Sequence, residues 1–176
     1  MRESLRLQAT SGDLRDSYRS LIAELESAGE KRVPFPLSFP FDDFDALLAR
    51  LQDSAKGIGL EEGFVPHSTY WLVRDGEQIV GVSNLRHSLT PFLLREGGHI
   101  GYGIRPSMRG RRLGSEILRR SLHRTRELGI RDVLVTCGAA NVASASVIRR
   151  NGGVLESEAF LPERNEVVQR YWIRGV

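Results

Sequence analysis

The spacing of apolar residues in the N-terminal part of the chain changes from a strand-like to a helical period. Residues 4–8 alternate between apolar and polar, which predicts a half-buried strand. An amphipathic helix is predicted over 12–28, where apolar side chains recur at helical spacing behind the capping candidates Ser11 and Asp13. A second, shorter helix is predicted from Phe44 onward, because two aspartates precede a further set of apolar positions.

The rest of the chain consists of β-rich runs and helical patterns. Two β-rich runs flank the turn dipeptide Asp75-Gly76 and predict a hairpin. Asn141 as N-cap and Gly152 as C-cap bound a later helix. The predicted strands cover 68–74, 78–86, 98–106, 132–137, 154–160 and 166–173, and the predicted helices cover 114–128 and 141–152. The order is therefore strand, two helices, three strands, helix, strand, helix and two strands, which predicts an α/β (α+β) fold.

Length and composition favour one domain. At 176 residues, of which 40% are hydrophobic, the chain is long enough for a single well-packed domain over 1–176. We divide it into a helical N-terminal region, 1–66, and a sheet region, 67–176. The single cysteine, Cys137, excludes an intrachain disulfide and suits a reducing cytoplasm. No apolar run is long enough for a signal peptide or a membrane span, so we expect a cytoplasmic protein without membrane contact.

The charge of the chain is modest but basic. The net charge is +3 and the calculated isoelectric point is about 9.4. Such a balance occurs in nucleic-acid-binding proteins. Here, however, the arginines are scattered, and no aromatic residues are interleaved with them to stack on bases. We therefore expect no nucleic-acid partner and interpret most of these arginines as a solvated surface.

One stretch, 98–114, combines a predicted strand, a cationic turn and the beginning of a helix. The first turn of a helix has backbone N–H groups without intrahelical partners and carries the positive end of the helix dipole. Arg109, Arg111 and Arg112 add formal charge around the same point. The stretch therefore predicts a site for an anion such as a phosphate.

This stretch resembles the cofactor-binding segment of the GNAT-superfamily N-acetyltransferases. The family pattern is Arg or Gln, two residues, Gly, one residue, then Gly or Ala, after a strand that ends in apolar-x-Pro. Arg109, Arg112 and Gly114 occupy the three motif positions, and Arg112 departs from the usual Gly. The segment from Asn141 to the Asn151-Gly152-Gly153 ending is similar to the second cofactor segment of the family, in a bacterial subgroup usually labelled only as predicted acetyltransferases.

The resemblance implies a GNAT-like mixed, mostly antiparallel sheet of about seven strands with helices on both faces. One parallel pair, the strand before Gly114 and the strand ending at Cys137, would splay apart and hold acetyl-CoA in the gap. No metal is implied. By this resemblance, the contacts to acetyl-CoA would come from Gly103, Ile104, Arg109, Gly110, Arg111, Arg112, Leu113, Gly114, Ser115, Asn141, Ser144 and Ile148.

The activity implied by the resemblance is transfer of an acetyl group from acetyl-CoA to a primary amine by direct attack in a ternary complex. Many members use a Tyr on the second cofactor helix to protonate the leaving thiolate, and this chain has Ile148 at that position. Strand alternation places Tyr102 on the face that carries the catalytic residue in other members, whereas His99 would need a β-bulge to reach the site. Glu158 is a third candidate for the catalytic base.

The resemblance also places the acceptor, a small molecule or a peptide, against the N-terminal region. The segment 33–41 has three prolines and three phenylalanines, so we expect Phe39 and Phe41, together with His87, to line the acceptor site. The alternative is that these rings fill the core. For the whole protein, a non-catalytic acyl-CoA-binding domain or sensor and, more distantly, a nucleic-acid module remain open, as does a homodimer.

Overall fold

The computed structural model describes residues 4–176 and confirms the predicted order of elements. Between the main elements lie three short 3-10 turns, Gly12–Leu14, Phe35–Ser38 and Pro106–Met108, and a π turn, Leu93–Gly97. The helices are α1 (Arg15–Ser27), α2 (Phe44–Lys56), α3 (Leu113–Glu127) and α4 (Val142–Arg150). The strands are β1 (Leu5–Ala9), β2 (His67–Arg74), β3 (Gln78–Arg86), β4 (Ile100–Ile104), β5 (Val133–Gly138), β6 (Val154–Leu161) and β7 (Glu166–Ile173).

Side-chain caps define where two of the helices begin. The Asp43 carboxylate accepts a hydrogen bond from the Ala46 N–H at 3.0 Å, and Asn141 accepts one from the Ser144 N–H at the same distance. Each cap satisfies an N–H group that has no partner within its helix. At the other end of α2, Gly57 adopts a left-handed conformation with φ of 77° and terminates the helix.

The strands form two sheets that meet at one point. β1, β2, β3 and β4 make an antiparallel sheet in that order, and β7 lies between β5 and β6 in the second sheet. At the junction, His99 N–H donates to the Leu134 carbonyl at 2.7 Å, and the Leu134 N–H donates to His99 Nδ1 at 3.0 Å. Within residues 4–176 no other backbone hydrogen bond joins β4 to β5. The predicted parallel pair is thus reduced to a single contact, beyond which a gap opens.

Helices cover both faces of the first sheet, as predicted. α1 and α2 pack on one face, where Tyr18, Phe44 and Trp71 are buried in a common apolar cluster. α3 packs on the other face through Ile117 and Leu118, which are fully buried. No helix between residues 4 and 176 is long and apolar enough to cross a membrane.

A buried arginine fixes α1 to the sheet. The Arg105 side chain is only 2% exposed, and its Nε donates to the Ile79 carbonyl at 2.7 Å while Nη2 donates to the Ser17 carbonyl at 2.8 Å. Nη1 pairs with the Glu24 carboxylate at 2.8 Å. Burying a guanidinium is costly unless it is paired and hydrogen-bonded, and here both conditions hold. Arg105 therefore sets the distance between α1 and the turn that follows β4.

Two glycines let the segment 33–38 lie directly on β4. A Cβ at Gly103 would overlap the Val33 carbonyl, and one at Gly101 would lie 3.4 Å from Pro34 Cβ. The register between β3 and β4 is regular from Gly101 to Ile104, so no bulge turns His99 toward the gap. Gly101 and Gly103 instead permit the close approach of Pro34 and Val33.

Candidate active site

The gap between the two sheets opens into a cleft of about 630 Å³. Its walls come from β4, the turn before α3, the first turns of α3 and α4, and the end of α1 with the segment that follows it. All of the predicted cofactor residues except Arg111 and Ile148 line it, namely Gly103, Ile104, Arg109, Gly110, Arg112, Leu113, Gly114, Ser115, Asn141 and Ser144. The two sequence segments that carry the resemblance thus face one cavity.

The two exceptions have different environments. Arg111 is exposed on the turn. Ile148 is fully buried in the apolar cluster beneath α4, and a Cβ on Gly153 would overlap its side chain. Ile148 therefore contributes to the packing of α4 and does not line the cleft.

The beginning of α3 has the properties of an anion site. Within residues 4–176 no side chain caps this N-terminus, and Arg112 precedes it in a left-handed conformation with φ of 61°. Ser115 Oγ is buried and has no hydrogen-bond partner among the described residues. Unpaired N–H groups, an unpaired hydroxyl and the positive end of the helix dipole converge at this point, so the residues present fit a pyrophosphate group.

Arg109 is already paired with a residue that the sequence did not indicate. Its Nη1 and Nη2 each contact one oxygen of the Glu30 carboxylate at 2.7 Å, and these hydrogen bonds lower the pKa of Glu30. Glu30 also lines the cleft. Because the carboxylate occupies both guanidinium nitrogens, a phosphate that binds Arg109 has to compete with Glu30.

The ladder between β3 and β4 fixes which backbone groups of β4 face the gap. Arg86 N–H donates to the His99 carbonyl, and Arg105 N–H donates to the Val80 carbonyl. Bonded positions alternate along an antiparallel ladder, so the odd-numbered residues of β4 bond to β3. Tyr102 and Ile104 therefore direct their N–H and C=O groups into the gap. Of the two backbone positions expected to hold the pantetheine arm, Ile104 meets this condition and Gly103 does not.

The candidate Tyr102 lies inside the cleft. Its hydroxyl is 3.0 Å from Ser144 Oγ, in the first turn of α4, and burial raises its pKa to about 12. Cys137 is buried beside this pair; burial raises the pKa of its thiol, and a hydrogen bond with Ser144 partly opposes that effect. The phenol therefore remains protonated at neutral pH and can donate a proton.

A carboxylate that sequence reasoning missed lies at the end of β5. A Cβ at Gly138 would overlap the Glu166 side chain, so the glycine leaves room for this carboxylate. The Glu166 charge contributes to the raised pKa of Cys137, which shows that the two groups are close. Arg164 pairs with Glu166 at 2.8 Å, and Glu166 is not among the residues that line the cleft. The position of Glu166 could not be predicted from the sequence, because only the insertion of β7 beside β5 brings residues 138 and 166 together.

The other two catalytic candidates lie outside the cleft. His99 is buried, accepts the Leu134 N–H through Nδ1 and has a pKa lowered to about 4, first by burial and then by the Arg86 charge. It is therefore neutral at pH 7 and joins the two sheets. Glu158 is exposed on the edge strand β6 and accepts a hydrogen bond from Gln169 Nε2 at 2.6 Å.

The residues expected at the acceptor also lie outside the cleft. Phe39 and Phe41 pack against the α1–α2 cluster, and the Arg50 guanidinium lies 3.7 Å from the centre of the Phe39 ring. The two rings cover an apolar edge that α1 and α2 leave open. This position agrees with the alternative that the rings fill the core. Val33 and Leu37 from the same segment do line the cleft. His87 Nε2 contacts Ser68 Oγ at 2.8 Å, away from the cavity.

Comparison with known families agrees with this geometry. Residues 10–154 match the family model described as an acetyltransferase (GNAT) domain. The chain belongs to the GNAT acetyltransferase family. As a GNAT enzyme it is an acetyl-CoA-dependent N-acyltransferase, and the resemblance inferred from residues 98–114 and 141–153 is confirmed.

Solved GNAT structures share the fold over almost the whole chain. RimL, a ribosomal L7/L12 alpha-N-protein acetyltransferase in complex with coenzyme A, has 20% sequence identity and a TM-score of 0.69, covering 97% of this chain and 94% of that chain. An acetyltransferase from Salmonella typhimurium that modifies the N-terminal serine of L7/L12 has 19% identity and a TM-score of 0.69 over 97% and 95%. A mutant of spermidine N-acetyltransferase SpeG from Vibrio cholerae has 16% identity and a TM-score of 0.62 over 98% and 95%. No curated protein sequence gives a significant match.

Proposed function

We propose that this GNAT enzyme acetylates a primary amine in the cleft between β4 and β5, with the acceptor attacking the thioester directly in a ternary complex. The observation that carries the proposal is that the uncapped start of α3 and the Tyr102–Ser144 pair line the same cavity. A cavity with a phosphate site at one point and a proton donor at another suits a phosphate-bearing thioester.

Acetyl-CoA supplies the thioester whose carbonyl the amine attacks. The N–H groups of Leu113, Gly114 and Ser115 would hold its pyrophosphate, assisted by the unpaired Ser115 hydroxyl. The N–H and C=O groups of Tyr102 and Ile104 that face the gap would pair with the amide groups of the pantetheine arm. These contacts position the reacting carbon without taking part in bond making.

The Tyr102 phenol is the proposed proton donor to the leaving thiolate. It comes from β4, not from the second cofactor helix, and its contact with Ser144 reaches the first turn of that helix. Its raised pKa keeps the donated proton in place until negative charge develops on the sulfur. Tyr102 and Ser144 would thereby fill the role for which position 148 has only an isoleucine.

Glu166 is the proposed base that removes a proton from the acceptor ammonium, directly or through one water. Its carboxylate lies on the side of β5 that carries Gly138 and Thr136, opposite the side chain of Cys137. The proposed acid and base are thus on opposite sides of the open sheet edge. This arrangement allows the amine and the thiolate to exchange protons with different groups.

Steady-state acetylation of a panel of primary amines tests this function. Glu166→Gln is expected to lower kcat by about 10²- to 10³-fold, with the Kd of acetyl-CoA changed less than about threefold. The matched control is Glu163→Gln, which alters an exposed carboxylate on the loop that leads into β7 and should behave like the wild type. Tyr102→Phe should lower kcat by about tenfold or more with the same unchanged affinity. If acetyl-CoA does not bind, or if no amine on the panel is acetylated, the proposal is wrong.

The acceptor is either a small molecule or a peptide. RimL and SpeG, which act on a protein N-terminus and on spermidine, support both classes for this fold. We further propose that the protein works in the cytoplasm, which its single cysteine supports.

A further inference from the structure

Arg86, at the end of β3, is a guanidinium that the proposed chemistry does not use. It lies on the face of β4 that carries the segment 33–38, with its nitrogens about as close to Gly101 as Pro34 is. Its Nη1 donates to the carbonyls of Gly97 and Gly98 at 2.8 and 3.2 Å. The Phe35 ring covers it at 5.8 Å from the ring centre.

Arg86 has no anionic partner between residues 4 and 176. Its hydrogen bonds go only to carbonyl oxygens, and burial alone lowers its pKa to about 10. Nη2 and Nε make no hydrogen bond to the described residues, and neither atom is among the fully buried unpaired groups. Two donor nitrogens of this cation therefore have no partner among the described residues, whereas buried or half-buried arginines are normally paired with a carboxylate.

The groups around Arg86 add no negative charge. Burial, and then the Arg86 charge, lower the pKa of both His67 and His99 to about 4, so both imidazoles are neutral at pH 7. Glu96, the buried carboxylate of the neighbouring π turn, is already paired with Arg95 at 2.7 Å. The local field is positive, so a carboxylate is attracted to this point and an ammonium is repelled.

A continuous set of contacts connects Arg86 to Glu166. The carbonyls that Arg86 binds belong to the end of the π turn Leu93–Gly97 and to Gly98, and the Glu96 carbonyl in that turn accepts the Thr136 hydroxyl at 2.8 Å. Thr136 lies two residues before Gly138, on the same side of β5. The Glu166 side chain occupies the space that a Cβ at Gly138 would take. Arg86 and Glu166 therefore lie at the two ends of one series of contacting residues.

We propose that Arg86 binds a carboxylate of the acceptor, so that the substrates are amines that carry a carboxylate near the primary amine. The proposal rests on the acetyltransfer function above. The ammonium lies toward Glu166 and the carboxylate toward Nη2 and Nε of Arg86. The carboxylate comes either from the α-carboxyl of a free amino acid or from an acidic side chain near the N-terminus of a peptide. A polyamine has only positive charges and is excluded by the same guanidinium.

Matched pairs of acceptors separate these classes. The free amino acids are compared with the amines that lack the carboxyl group, tetrapeptides with Asp at position 2 are compared with the same peptides carrying Asn, and spermidine is included. All are assayed at saturating acetyl-CoA with the wild type, Arg86→Gln, Arg86→Lys and the control Arg126→Gln, which alters an exposed arginine of α3. Thermal unfolding of each variant is measured in parallel.

The expected result is a preference of about tenfold or more in kcat/KM for the carboxylate member of one pair type, carried by KM. Arg86→Gln abolishes this preference and leaves kcat/KM for the member without the carboxylate unchanged. Arg86→Lys retains part of the preference, and Arg126→Gln retains all of it. Three results would overturn this inference but not the proposed function. They are equal turnover of the two members of each pair, faster turnover of spermidine, and an equal rise in Arg86→Gln of the KM values for both members. Turnover of no amine at all overturns the proposed function, and this inference falls with it.

Discussion

Arg112 is the residue whose backbone departs most from what its side chain favours. With φ of 61° it occupies the left-handed region at the N-terminus of α3, where the family usually has glycine. For an L-residue this conformation costs roughly 1–2 kcal/mol relative to the right-handed one. The departure noticed in the motif is therefore accommodated by backbone strain, and the turn keeps the shape that the cleft requires.

Arg112→Gly is expected to leave stability unchanged or raise it by up to about 1 kcal/mol, because glycine adopts this φ without steric cost. Chemical denaturation measures the change. The matched control is Arg111→Gly, since residue 111 has no positive φ and glycine there only adds flexibility. A larger loss of stability for Arg112→Gly than for Arg111→Gly would contradict this explanation.

At the scale of elements, the contact between α3 and α4 depends on another glycine. A Cβ at Gly114 would lie 3.1 Å from Val147 Cγ2, so the first turn of α3 packs closely on α4. Gly114 was selected from the sequence as the position where the pyrophosphate approaches. The structure adds a packing reason for the same residue, and the two reasons can be separated.

Gly114→Val is expected to lower the free energy of unfolding, because the new side chain overlaps Val147, and to weaken acetyl-CoA binding. In the background Val147→Ala the stability loss should shrink, since the overlap is relieved, whereas the affinity loss should persist. Calorimetric titration and urea denaturation of the four proteins in this cycle provide both numbers. Recovery of both properties together would show that Gly114 acts on the cofactor only through packing.

Across the whole molecule, buried neutral histidines make stability depend on pH. His67 and His99 have pKa values of about 4 in the fold, below the ordinary value of 6.5. The unfolded chain therefore binds protons first as the pH falls. Their contribution to stability is complete above pH 6.5 and is lost as the pH falls toward 4, by about 1.4 kcal/mol per pH unit for each residue.

Urea denaturation between pH 7.5 and 5 is expected to show this decline. His99→Gln should reduce the slope of unfolding free energy against pH, because one of the three histidines whose pKa the fold lowers, His67, His87 and His99, no longer titrates in the unfolded state. His123→Gln, at an exposed position of α3, should leave the slope unchanged. An unaltered slope in His99→Gln would mean that His99 is not held neutral by the fold.

Much of the molecule could be predicted from local sequence signals. The turn at Asp75-Gly76, with φ of 52° and 79°, and the cap at Asn141 depend on residues next to each other in the chain. The positions of Glu166 and Arg86 could not be predicted, because they depend on how β7 inserts and how the π turn folds back. The packing of Phe39 against the α1–α2 cluster could not be predicted either, since apolar composition does not specify which surface a ring covers.

Because the two sheets are joined by a single contact, at His99 and Leu134, a small rotation there moves the far ends of β4 and β5 by a larger distance. From His99 to Arg105 the chain spans about 20 Å at the rise of an extended strand. A rotation of about 5° at this contact therefore displaces the far end of the strand by roughly 2 Å. Misplacement of a reacting group by about 1 Å can lower the rate a hundredfold. The positioning of the reacting atoms is thus set by the packing around a buried imidazole at the closed end of the gap.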